Sequence, residues 1–473
     1  MTPKRAFGRR FRRGEPGYHD ALMGVLFNKR EPNRFPEIIV QANGVEDVVA
    51  AVREARRHDL RIGVCSGGHS WSANAVRDGG MLLDVSRLSG YAIDRDRMFA
   101  LAGPGCGGSE LAAAALRANC FFPAGHCRGV CIGGYLLQGG FGWHGRMLGM
   151  ACESVTGIDV VTADGDLVHA NESEHADLYW AARGSGSGFF GVVVRFHLKL
   201  HRRPKYIGGA AHVYRIEHLE DVYAWAHEAG RDVFPEVEFQ ILMTRRAGAI
   251  FAPGLEVVAP VFADSEKRAR EVAAFLTESP LRAKAAVRVP LLPLGLAAMY
   301  AGVMLHYPSG RRWGVDNMWT HAPVDALVRT MRRLADTMPP APSHTLWLNW
   351  RPPERRTDMA FSVEDAIYIA AYGVWKRPAD DARFASWARD NMAEAAHLSS
   401  GVQLADENLG ERPMRFVTDE HLAKLDAIRD ARDPEGRFHP WMGRPVPAAF
   451  SVDERSAESS PARAVAVPPP VDG

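Results

Sequence analysis

The sequence contains no apolar run approaching the ~18 residues of a membrane span, which predicts the absence of a transmembrane helix. It has little net charge, +1 at pH 7, which argues against a dedicated nucleic-acid or anionic-membrane partner. Cysteine is scarce: six in 473 residues do not make a disulfide framework. No internal repeat is visible. The N-terminal basic cluster (Lys4, Arg5, Arg9, Arg10, Arg12, Arg13) is not followed by an apolar h-region. The expectation is therefore a disordered arm over residues 1–14, no secretory or twin-arginine signal, and a cytoplasmic protein. Residues 449–473 are rich in Ser, Pro, Ala and charge, and are expected to be disordered as well.

What remains is ordinary globular material. The chain is 47% hydrophobic and 24% charged, which supports a large core, and its length exceeds a typical single domain, so two are expected. From Ile38 to about Leu200 it reads as α+β, with a helix over Val45–His58, strands at Arg61–Val64, Met81–Val85, Val155–Thr162 and Leu167–Ala170, and an alanine-rich helix over Ser109–Ala118. From about Tyr206 the glycine density falls. Strands are predicted at Val237–Met243, Leu255–Val261, Thr345–Trp350 and Ala366–Trp375. Helices are predicted near Asp221–Ala229, Lys267–Leu276, Val324–Met338 and Asp380–Ala395. The second region thus reads as an antiparallel sheet with helices on one side, and a last helix follows at His421–Arg429.

The chemistry-bearing side chains gather in glycine-rich segments. His69 sits in Ser66-Gly67-Gly68-His69-Ser70, directly after a strand, where successive N–H groups can form an anion nest. A tight turn around a buried histidine explains the same residues about as well. Cys127 sits between Gly125 and Gly129, followed by Gly133-Gly134 and Gly139-Gly140-Phe141-Gly142. A buried cysteine is the bland alternative, and a nucleophilic one needs a lowered pKa, to which His126 could contribute. Cys120, His126, Cys127 and Cys131 also offer zinc ligand types, although the spacing lacks a second C-x-x-C or an H-x3-H partner. Gly186-Ser187-Gly188-Phe189-Phe190-Gly191 matches a dinucleotide fingerprint and is rejected as one. A helical stretch precedes it and β-branched residues follow, the reverse of the required order.

Five ordered motifs carry a resemblance: Ser66–His69, Gly125–Val130 with Gly133-Gly134, Gly139–Gly142, Asp177-Leu178-Tyr179-Trp180-Ala181-Ala182-Arg183-Gly184, and Phe190-Gly191-Val192-Val193. In this order they resemble the berberine bridge enzyme family of flavoprotein oxidases, within the wider vanillyl-alcohol oxidase fold. The likeness covers Arg34–Pro204 and, less closely, Glu420–Pro440. It implies an α+β flavoprotein of two domains. The FAD-binding domain would span 15–205 with a return at 417–448, and a substrate domain, an antiparallel sheet covered by helices, would span 206–416. It implies FAD attached covalently through His69 and Cys127. Ser66, Gly67, Gly68 and Ser70 would hold the pyrophosphate with Gly103 alongside. Gly125, Gly133 and Gly134 would let the ring stack on backbone, and Gly188, Phe190 and Val192 would flank the adenine or ribose. In that family the residue three after the cysteine gates oxygen, and Val130 is of the small, admitting type.

The implied reaction is oxidation of a small organic substrate (an alcohol, a sugar-like hydroxyl or a natural-product scaffold) by hydride transfer to flavin N5, with molecular oxygen as acceptor giving H2O2. One departure stands out. The family's C-terminal tyrosine motif, Y-x-N-Y/F-x-D, corresponds here to Gly401-Val402-Gln403-Leu404-Ala405-Asp406, with both aromatics and the asparagine gone. Strand alternation puts Tyr368 and Tyr372 on one face, which makes them the candidate replacement bases, unless they only pack against helices. His306, Tyr307 and Glu364 are secondary candidates. A dehydrogenase or oxidative cyclase, or a flavin-binding protein without turnover, are the rival readings.

Overall fold

The structure, a computed structural model, describes residues 8–351 and 356–444. Its flavin-type half contains two sheets. One has four strands in the order Arg9–Arg12, Ile38–Gln41, Met81–Asp84, Ile62–Cys65, with the last three mutually parallel. Crossover from Ile38–Gln41 to its neighbours needs a helix, and Val45–Arg57 supplies one. It buries Val48, Ala51, Val52 and Ala55 on a single face, as helical spacing of the apolar residues requires. The other sheet has five antiparallel strands, in the order Tyr91–Asp94, Phe99–Ala102, Val192–Lys199, Val155–Val161, Leu167–Asn171.

The second half is a seven-stranded antiparallel sheet in the order Val287–Pro293, Tyr206–Arg215, Ala252–Ala263, Phe239–Ala247, His344–Asn349, Ile367–Trp375, Arg312–Thr320. Helices Leu219–Ala229, Glu266–Thr277, Val324–Thr337 and Trp387–Glu394 cover one face, packing on Ile241, Val257, Trp347 and Ile369. The opposite face carries Leu348, Tyr368, Ala370 and Tyr372, which pack towards Trp71, Cys127 and Phe141 of the first half. Two-residue alternation along Ile367–Trp375 is what separates the two sets.

Several expectations are revised. Arg9–Arg12 is a strand paired antiparallel with Ile38–Gln41, so the expected disordered arm over 1–14 is ordered there. An unpaired sheet edge supplies backbone hydrogen bonds that do not depend on the basic side chains. Residues 1–7 and the tail 449–473 lie outside the described residues. The helix expected over Asp380–Ala395 is split into Asp381–Phe384 and Trp387–Glu394. In the second half three strands went unrecognised, Tyr206–Arg215, Val287–Pro293 and Arg312–Thr320, and in the first half Ile38–Gln41, Tyr91–Asp94, Phe99–Ala102 and Val192–Lys199 were not predicted either. Arg312–Thr320 hides an Asp316-Asn317 pair at its centre, buried and satisfied by partners remote in sequence. Arg412 Nε donates to Asp316 Oδ2 at 2.9 Å, and Asn317 Nδ2 donates to the carbonyls of Gln403 and Asp406 at 3.1 and 2.8 Å.

Candidate active site

A cavity of about 520 Å³ runs between the two halves. At one end it is lined by Ile62, Val64, Phe438 and His439, and at the other by Leu294, Leu305 and His306. Ser66, Gly67, Gly68, His69 and Ser70 all line it, as do Gly125, Cys127, Val130, Gly133 and Gly134. Backbone approaches backbone closely along this wall. A side chain at Gly68, whose φ is +64°, would overlap the Val25 carbonyl. At Gly67 a Cβ would sit 2.9 Å from Cys131 N, and at Gly133 it would sit 2.8 Å from Pro104 Cβ. Only glycine permits these close backbone approaches. Ser66 Oγ accepts the Gly134 N–H at 3.2 Å, joining the two glycine segments.

Four residues expected at the cofactor do not line the cavity. Gly103 packs on the Leu88 backbone, and its neighbour Pro104 is the lining residue. Gly188 abuts the Trp441 ring, and Phe190 and Val192 point into the core. The cavity is instead lined by Gly186, Ser187, Phe189, Gly191 and Val193. Along Phe189–Val193 the lining residues alternate with those the resemblance implied, since successive side chains of an extended segment point to opposite faces.

Burial lowers the His69 pKa to about 4, opposed by a hydrogen bond with the Gly129 backbone. Its ring, stacked on Phe27 at 4.4 Å, is therefore neutral near pH 7. Cys127 departs from the expected low-pKa site. Burial pushes its thiol up to about 12, and the Asp406 carboxylate adds to the rise. His126 does not activate it: its Nε2 bonds Glu238 Oε2 at 2.9 Å, while Glu238 Oε1 accepts the His144 N–H at 2.5 Å. The zinc reading of Cys120, His126, Cys127 and Cys131 has no geometric support. Among the described residues, the group of His, Cys, Asp or Glu atoms close enough to share an ion is Asp159, His169 and His197.

The centre of the site is Asp406, which lines the cavity together with Tyr368 and Tyr372. Its Oδ2 accepts from Tyr368 Oη at 2.5 Å and Tyr372 Oη at 2.7 Å, and its Oδ1 accepts from Trp71 Nε1 at 2.6 Å. Burial raises its pKa above the usual carboxylate range, and the three donors act against that rise. Both tyrosines have pKa values well above 10, first from burial and then from the Asp406 charge. This argues against the tyrosines acting alone as the expected bases: a phenol donating to a carboxylate resists becoming a phenolate. Asp406 was passed over because the tyrosine motif was judged by its missing aromatics. The signal was present, since Asp406 stands at that motif's closing aspartate. Asn317, anchored by Arg412, holds the turn that carries Asp406. Glu364 is occupied elsewhere, accepting from Trp350 Nε1 at 2.6 Å.

Beyond Asp406 the wall turns apolar: Leu242, Val258, Val289, Leu294, Leu346 and Leu348. Its polar exceptions include His306 and Glu256, 3.3 Å apart, and Gln240.

Residues 36–171 match the model of an FAD binding domain. Over 438 residues the chain is 31% identical to the FAD-linked oxidoreductase nodO of Hypoxylon pulicicidum, spanning 87% of this chain and 92% of that protein. The chain belongs to the berberine bridge enzyme-like FAD-linked oxidoreductases. Over a shorter stretch of 181 residues, 38% of this chain and 36% of the relative, it is 35% identical to a xylooligosaccharide oxidase of Thermothelomyces thermophilus. The fold is that of 6-hydroxy-D-nicotine oxidase from Arthrobacter nicotinovorans, with a TM-score of 0.78 at 21% identity over 93% of this chain and 98% of that one. It is equally that of BBE-like 1 from Physcomitrella patens, with a TM-score of 0.78 at 19% identity over 93% and 97% of the two chains. As a family member the chain is an FAD-dependent oxidoreductase of two-domain α+β architecture. Among the described residues no helix is long and apolar enough to cross a membrane.

The residues present fit FAD. The trough is lined by backbone whose close approaches at Gly67, Gly68 and Gly133 exclude a Cβ, and His439, which lines the far end, has a buried ring nitrogen with no hydrogen-bond partner in the chain.

Proposed function

We propose that this protein is an oxidase that carries FAD on two covalent tethers and oxidises a hydroxyl on a neutral, largely apolar small molecule, with Asp406 as general base. The observation that carries the reading is the Asp406 carboxylate. It accepts three hydrogen bonds where the wall bearing Cys127 meets the apolar wall. FAD held there would supply a two-electron acceptor that takes a hydride from the substrate carbon and passes the electrons to molecular oxygen, giving H2O2.

The chain's own residues would do the rest. Asp406 takes the hydroxyl proton of the substrate as its C–H bond is oxidised. Its raised pKa makes it a stronger base than an ordinary carboxylate, and the three donors favour its charged form. Tyr368, Tyr372 and Trp71 hold the carboxylate in one orientation, with their donors directed at its oxygens. His69, neutral by burial, retains a lone pair for bonding the flavin 8α carbon. Cys127, whose thiol burial holds protonated, would bond C6 on giving up that proton, and Ser66 with the glycines of both loops would lie along the pyrophosphate. Val130 leaves room for oxygen beside the ring. In Phl p 4, a protein of this fold, the wild type is described as a glucose dehydrogenase and an isoleucine-to-valine variant as a glucose oxidase. That contrast supports reading a valine here as permissive. The apolar wall favours a natural-product scaffold over a sugar, whose hydroxyls would be left without partners against Leu242, Val258 and Leu346.

Two measurements test this. Intact mass after acid denaturation should include one FAD in wild type, His69→Ala and Cys127→Ala, and none in the double variant; release of flavin from wild type would reject the tethers. In anaerobic mixing with a panel of apolar alcohols and of sugars, the alcohols should bleach the flavin faster. Bleaching by sugars alone would reject the substrate class, and bleaching by nothing in the panel would favour a binding protein without turnover.

A further inference from the structure

The solvent side of the five-stranded sheet carries a group of side chains that the flavin chemistry does not use. We propose that Asp159, His169 and His197 form a binding site for a divalent transition metal of the zinc type. Asp159 and His169 are direct cross-strand partners in Val155–Val161 and Leu167–Asn171, and His197 comes from Val192–Lys199 on the other side. Asp159 Oδ1 lies 2.8 Å from His169 Nδ1 and 3.0 Å from His197 Nε2. One ligand atom from each residue lies within 4.8 Å of the other two, and the imidazole rings meet edge to face at 4.8 Å.

Three features make this more than a chance polar patch. The donors come from three adjacent strands of one sheet, so the backbone rather than a mobile loop fixes their spacing. Gly157, the register partner of His197, leaves the room the rings need: a Cβ there would come within 3.2 Å of the His169 ring. The side chains are sheltered but reachable, with 19%, 37% and 23% exposure for Asp159, His169 and His197. Two imidazoles and one carboxylate suit zinc, nickel or copper and leave a position for water. Both histidines point a ring nitrogen at the carboxylate, so metal entry requires only that each neutral ring carry its proton on the other nitrogen. Arg195 Nη1 lies 3.4 Å from Asp159 Oδ2, which holds that oxygen away from the cluster while its charge weakens the attraction for a cation. None of the three residues lines the flavin cavity. A bound ion would brace three strands, one of which, Val192–Lys199, contributes Val193 to the cavity wall.

The test uses the full-length flavoprotein after treatment with EDTA and dialysis. Zinc chloride is titrated by calorimetry, and thermal unfolding is followed with and without zinc. The expected result is one saturable zinc per chain and a raised melting temperature. His169→Ala and Asp159→Asn should each weaken binding by about tenfold or more while the flavin spectrum stays unchanged. Should either variant lose its flavin, His197→Ala carries the comparison. Absence of saturable binding in wild type, or unchanged affinity in the variants, overturns the proposal and leaves the cluster as a hydrogen-bonded pair of histidines.

Discussion

The two walls of the cavity are built on opposite principles. The flavin-side wall is made of backbone. Gly67, Gly68 and Gly133 remove side chains so that carbonyls and N–H groups can approach one another, and each such position rejects a Cβ. The substrate-side wall is made of side chains. Tyr368 and Tyr372 from one strand and Trp71 from a loop converge on Asp406, and Asn317 on another strand fixes the turn beneath it. A backbone wall suits a cofactor that does not change. A side-chain wall can change one residue at a time, and here it has replaced the family's tyrosine while keeping an acidic acceptor.

If that contrast is right, the largest effect should come from the substrate side with the cofactor left intact. Asp406→Asn should slow flavin reduction by substrate about 10²–10⁴-fold, with flavin content unchanged in the absorbance spectrum. Reduction at the wild-type rate would move the base elsewhere. Next comes the support of that wall. Asp316→Ala leaves Arg412 as an uncompensated buried cation and should cost about 3–5 kcal/mol in denaturant unfolding. A loss under about 1 kcal/mol would mean that Arg412 finds another partner.

The flavin-side wall should respond differently. Val130→Ile should slow reoxidation by oxygen about tenfold in stopped flow and leave reduction by substrate as it was. Slowing of both half-reactions would instead mark Val130 as packing. The smallest effect is a shift in pH dependence. Tyr372→Phe removes a donor to the Asp406 carboxylate, which destabilises its charged form and raises its pKa further. The acid limb of flavin reduction should therefore move up by about one pH unit. A downward move would mean that the phenol, not the carboxylate, is the group that titrates.

The two walls also differed in how far they could be read beforehand. The glycine segments are local: a strand, a turn and a nucleophile lie within five residues, and no distant partner is needed to recognise them. Even so, the residues that the resemblance implies beside the adenine, Gly188, Phe190 and Val192, are not those that line the cavity, where Phe189, Gly191 and Val193 stand instead. The strand Arg312–Thr320 escaped notice because Asp316 and Asn317 look like a loop until Arg412 and the 403–406 turn are brought against them. Tyr368 and Tyr372 were found by alternation, but their shared partner Asp406 was not, because it lies more than thirty residues away.

Sequence alone determined the family, the cofactor class, the two candidate tethers and most of the longer helices, because each rests on residues adjacent in the chain or on a regular period. Tertiary structure decided which carboxylate gathers the two tyrosines and Trp71, which thiol and imidazole are forced neutral by burial, and that one wall of the cavity is apolar. Those properties depend on solvent exclusion and on contacts between distant segments, and no local pattern of residues encodes either.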